Sequence, residues 1–111
     1  MPGDHLTPIE LSRSRDGDEA SIELRGELDP HTTPQLEHEI NEVLADGEVR
    51  RLVLDLAELA FIDSSGIRSL IRAQQTMAER GGEVVLRSPG PATQRLLEIT
   101  HLDVQFEVDE S

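Results

Sequence analysis

Apolar and polar positions change period several times along this chain, and each change marks an element. Ile9 and Leu11, then Ala20, Ile22 and Leu24, alternate with polar neighbours, the period-two pattern of strands with one wet face. Asp16-Gly17-Asp18 between them is turn chemistry and predicts an antiparallel hairpin. After Gly26-Glu27-Leu28-Asp29-Pro30 the spacing becomes helical. Leu36, Ile40, Val43 and Leu44 form one stripe, with Thr33 and Pro34 suited to the cap and first turn and Gly47 to the stop.

Leu52-Val53-Leu54 is a short continuous apolar run, which predicts a strand covered on both faces and hence a parallel sheet. A loop through Glu58 is expected to lead to Phe61 and Ile62, and then to Asp63-Ser64-Ser65-Gly66. The helix after it is predicted to pack through Ile67, Leu70, Ile71, Gln74 and Ala78 and to halt at Gly81-Gly82. Val84-Val85-Leu86 repeats the buried-strand pattern, Pro89-Gly90-Pro91 opens a third helix packing through Leu96, Leu97 and Ile99, and Val104, Phe106 and Val108 alternate as a last strand. Strands alternating with helices give the α/β class: a mixed, largely parallel sheet of four to five strands, led by the hairpin, with about three helices joined by right-handed crossovers.

A chain of 111 residues suits a single domain over 1–111, with 1–4 and 109–111 read as flexible ends. Cysteine is absent, which removes disulfides, thiolate chemistry and cysteine metal sites and fits a reducing compartment. Met1-Pro2-Gly3-Asp4-His5 lacks the basic end and apolar run of a secretory signal, and no apolar stretch approaches the ~20 residues that cross a bilayer. A cytoplasmic protein is the expectation. The net charge of -13 repels nucleic acid and anionic lipid surfaces, so neither nucleic acid nor membrane is expected as a partner. Residues 51–80 escape this acidity, because Asp55, Glu58, Asp63 and Glu79 are balanced by Arg51, Arg68, Arg72 and Arg80.

In sheets of this class, ligands and partners meet the loops beyond the carboxyl ends of the parallel strands. Asp63-Ser64-Ser65-Gly66 and Asp29-Pro30-His31-Thr32 fall at that edge and define the candidate site. The residues by themselves leave two readings of Ser64: a helix cap, with Asp63 favouring the helix start through its charge, or a phosphate acceptor at a helix N-terminus. Asp29 is open in the same way between turn residue and partner contact. His31 and His38 are too far apart for an i, i+4 metal pair. A serine hydrolase needs glycines flanking its nucleophile, and position 62 is isoleucine; glycine loops of nucleotide-binding type are absent as well. No cofactor and no catalysis by the chain itself are expected.

Gly26-Glu27-Leu28-Asp29, Leu54-Asp55-Leu56 with Phe61-Ile62-Asp63-Ser64-Ser65-Gly66, Gly81-Gly82 before an apolar strand, and Ser88-Pro89 before the third helix occur in the order in which the chain resembles anti-sigma factor antagonists of the STAS-domain family. The resemblance implies partner switching: the unmodified antagonist binds an anti-sigma factor, often a serine kinase using Mg-ATP, and frees a sigma factor, while a separate metal-dependent serine phosphatase resets the switch. It maps the phosphorylated serine onto Ser64, the unmodified neighbour onto Ser65, and the partner-binding loop onto Asp29, His31 and Thr32. Asp63, Gly66 and Arg68 complete the expected partner surface, Arg68 either pairing with a phosphate or meeting an acidic partner. The extra C-terminal helix of many relatives has little room before Ser111. The alternative reading is a non-catalytic scaffold or regulatory subunit of a signalling or transport assembly.

Overall fold

The computed structural model describes residues 9–110, so the expectations for 1–4 and 111 lie outside the described residues. Strands β1 (Glu10–Asp16) and β2 (Glu19–Leu28) form the antiparallel hairpin, followed by α1 (Thr33–Leu44), β3 (Arg51–Ile62), α2 (Ser64–Glu79), β4 (Glu83–Arg87), α3 (Pro91–Ile99), a 3-10 turn (Leu102–Val104) and β5 (Glu107–Asp109). The sheet runs in order β1-β2-β3-β4-β5, antiparallel only between β1 and β2. This is the α/β arrangement expected, a mixed sheet led by a hairpin.

Each helical crossover steps to the adjacent strand in the same direction, so the right-handed rule places α1, α2 and α3 on one face. The core lies there: Ile22, Leu24, Leu52, Leu54, Leu56, Val84 and Leu86 from the sheet meet Leu36 and Ile40 of α1, Leu70 and Met77 of α2, and Leu97 of α3. The second face has no helical layer among the described residues, yet Leu52, Val53 and Leu54 are all buried, as expected of a strand covered on both faces. Val53 and Val85 are buried there among charged side chains. Arg51 donates to Glu19, Glu83 and Glu107, bridging four strands.

The stretch expected as a loop through Glu58 is part of β3. Pairing passes from Glu23↔Asp55 to Arg25↔Glu58, then from Gly26↔Leu59 to Glu27↔Phe61, so β3 carries an extra residue at each of two bulges. Asp55 stabilises the first by accepting from the Ala57 N–H at 3.0 Å. Gly26, at φ 122°, accommodates the second. Register is then restored at Leu28↔Ile62, which sets the two chain exits side by side.

Packing differs from expectation in two helices. In α2, Ala73 and Met77 are buried and Ala78 is exposed; in α3, Thr93 and Leu97 are buried while Ile99 is 67% exposed. Val104 lies in the 3-10 turn and is exposed, so the last strand starts only at Glu107. Asp109 pairs with Arg87 in that strand.

Candidate functional site

Two corners meet at the carboxyl edge of the sheet, tied together by the Asp63 N–H, which donates to Leu28 O at 3.1 Å. The helix cap is Asp63, not Ser64. With extended backbone, its Oδ1 accepts from the N–H of Ser65 at 2.9 Å and of Gly66 at 3.1 Å, satisfying two donors that a helix start leaves open. The same oxygen accepts the Ser65 hydroxyl at 2.6 Å. That hydroxyl does most to hold the Asp63 carboxyl below its ordinary value of 3.8; partial burial pushes the other way, and the Gly66 and Ser65 N–H groups add to the lowering.

The two serines therefore differ in chemistry. Ser65 is half-buried, its proton directed at Asp63 and its oxygen 3.4 Å from Thr33 Oγ1. Ser64, in the first helical position, is exposed, and its hydroxyl has no hydrogen bond among the described residues. Gly66 sits beneath them, buried. A Cβ there would lie 2.7 Å from Ile62 Cγ1 and 2.8 Å from Leu28 Cδ2, so glycine is what lets α2 start directly against the two strand ends.

In the other corner, Asp29 Oδ1 accepts from the N–H of His31 at 2.9 Å and of Thr32 at 3.0 Å. Thr32 is 4% exposed: its hydroxyl donates to Glu27 O at 2.7 Å and accepts from the Asp29 N–H at 3.0 Å. Thr32 thus caps α1 by position and shapes the loop from inside; the surface of this corner belongs to half-buried Asp29 and exposed Pro30 and His31. Thr33 is also buried, and donates to Asp29 O at 2.7 Å.

Below the corners a polar seam joins the helices, and the sequence reading missed it. Ser69, buried one turn beyond Ser65, donates to Glu37 Oε2 at 2.8 Å, and Arg72 reaches the same oxygen at 3.0 Å. The available signal was a serine four residues after Ser65 on an otherwise apolar stripe. Glu37, on α1, is half-buried in this seam. Arg68 is exposed. Phe61, 49% exposed at the end of β3, borders an apolar recess of about 220 Å³ formed with Leu59 and the Gly90-Pro91 start of α3.

A family model described as "Mlab, STAS domain" matches residues 11–108. The chain is similar to the anti-sigma-B factor antagonist of Listeria monocytogenes, with 32% identity over 86% of this chain and 83% of the relative. It is also similar to the anti-sigma F factor antagonist of Paenibacillus polymyxa, with 31% identity over 73% of this chain and 69% of that one. A crystal structure of an anti-sigma factor antagonist from Mycobacterium paratuberculosis superposes with a TM-score of 0.81 and 32% identity, covering 93% of this chain and 86% of the other.

Proposed function

Because the chain belongs to the STAS-domain family of anti-sigma factor antagonists, we propose that its unphosphorylated form binds an anti-sigma factor in the cytoplasm and thereby releases a sigma factor. Binding uses the edge carrying Asp29, His31, Asp63, Ser64 and Arg68, and phosphorylation of Ser64 ends it. The partner supplies the serine kinase, using Mg-ATP, and a separate serine phosphatase restores the hydroxyl. The protein itself is the substrate in this cycle and contributes no catalysis.

The observation that supports this reading is the division of labour between neighbours: Asp63 caps, Ser65 is hydrogen-bonded inward, and Ser64 alone of the three keeps an exposed hydroxyl without a protein partner among the described residues. A phosphate there adds about -1.5 to -2 charge at a docking edge while leaving the interior contacts intact. Release then needs no change of shape.

Intact mass after incubation with the anti-sigma kinase and Mg-ATP, followed by peptide mapping, tests the proposal. One added phosphoryl group on Ser64 is expected; none, or a group on Ser65, overturns it. Sedimentation with the partner is expected to show a one-to-one complex lost on phosphorylation. A large assembly indifferent to phosphate would replace the switch by a scaffold or regulatory-subunit role.

A further inference from the structure

Most arginines of the chain are committed: Arg51 to three glutamates, Arg72 to Glu37, and Arg80 to the carbonyls of Leu44 and Asp46. Arg68 makes no hydrogen bond or ion pair with any described residue, yet it stands four residues after Ser64 on α2 and shares its exposure. Residues at i and i+4 are neighbours across one turn, and helical side chains lean towards the N-terminus, so the turn that starts at Ser64 is within reach of Arg68. An acidic group at i with a basic group at i+4 is also the more favourable order.

We propose that Arg68 is the counter-ion of phosphorylated Ser64, so that modification both adds negative charge and withdraws this uncommitted cation from the docking edge. The inference rests on the partner-switching reading above and deepens it. In the transfer, Ser64 Oγ bonds to the γ-phosphorus of ATP, ADP leaves, and the hydroxyl proton passes to the kinase or solvent. The resulting phosphate presents three acceptor oxygens to a planar, bidentate donor. Neither neighbouring carboxylate holds Arg68: Asp63 and Asp29 each accept through Oδ1 from groups of their own corner and form no ion pair with it. A partner carboxylate paired with Arg68 in the unmodified complex would lose its cation at the moment it meets the phosphate.

The full chain with phosphoserine installed at position 64 during translation tests this without a kinase. Phosphorus NMR is expected to give a second ionisation midpoint lower than in the Arg68→Gln variant by on the order of 0.15–0.4 unit, with Arg68→Lys between them. The difference should shrink in 1 M salt, where screening acts over about 3 Å. Equal midpoints in wild type and Arg68→Gln overturn the pairing. That result is independent of partner release, which fails separately if the phosphorylated chain binds the anti-sigma factor as tightly as the unphosphorylated one.

Discussion

Asp29 and Asp63 stand just beyond the carboxyl ends of two neighbouring parallel strands, and each turns the chain by accepting backbone N–H groups two and three residues on. The hydroxyls that follow are spent differently. In the Asp29 corner both Thr32 and Thr33 are buried and hydrogen-bonded to main-chain atoms of the loop. In the Asp63 corner Ser65 turns inward and Ser64 is left over. Equivalent turn chemistry thus yields one corner that is wholly structural inside and another with a group available to chemistry. The third position after each aspartate differs as well: Thr32 fills its corner with a hydrogen-bonded side chain, whereas Gly66 leaves no side-chain volume at all.

Charging the leftover hydroxyl has the largest expected effect. Phosphate in the interface must lose water beside Asp63 and draws Arg68 away from the docking edge, and a partner carboxylate left there without its cation costs about 3–5 kcal/mol. At ~1.4 kcal/mol per tenfold, partner affinity should fall by roughly a hundred- to a few thousandfold. Ser64→Glu, with one carboxylate, should show part of that loss; Ser64→Ala should bind normally and resist phosphorylation. Titration calorimetry with the anti-sigma factor measures all three, and equal affinities would erase the functional difference between the corners.

Next come the two third positions. Gly66→Ala inserts a Cβ at 2.7–2.9 Å from Ile62 and Leu28 side-chain atoms, and overpacking of this kind costs about 1–3 kcal/mol. A melt should drop by roughly 4–8 °C per kcal/mol for a domain of this size. Thr32→Val keeps the volume but leaves Glu27 O and the Asp29 N–H without the hydroxyl, a loss of about 1–3 kcal/mol. An unchanged melting temperature in Gly66→Ala would mean that close helix–strand approach is not what that glycine provides. An unchanged one in Thr32→Val would remove the structural role assigned to Thr32.

The comparison also shows what the residues disclosed. The element order and the two corners are legible because period two gives way to period 3.6 cleanly at each Asp-containing boundary. β3 is harder to read: its two bulges put Ala57 and Glu58 on the surface in succession, a pattern indistinguishable in sequence from a loop. Which neighbour packs inward in a helix depends on tertiary contacts that spacing does not contain, so Ala73 and Met77 take the place expected for Ala78, and Ile99 faces solvent. Val104, Phe106 and Val108 alternate without forming one strand, because a short helical turn closes on Leu102 before the chain extends. Within the site, the sequence left Ser64 open between cap and acceptor; only geometry could hand the cap to Asp63.

The smallest effect isolates the inward hydroxyl. Because a hydrogen bond from Ser65 is the main cause lowering the Asp63 carboxyl, Ser65→Ala should raise that carboxyl towards 3.8. A carboxyl lowered by folding stabilises the native state fully above its unfolded value and loses that contribution as pH falls through the lower native value. Wild type should therefore keep this increment at pH 5 and above, lose it only below the usual carboxylate range, and differ from Ser65→Ala least in strong acid, where both are protonated. At neutral pH the difference should stay within about 1 kcal/mol, since the group is partly solvated and one hydrogen bond contributes on that order. Carboxylate-detected NMR of Asp63 across the acid range is the measurement. An Asp63 titration unmoved by Ser65→Ala would show that the backbone donors suffice in both corners, and the distinction between the two serines would then rest on exposure alone.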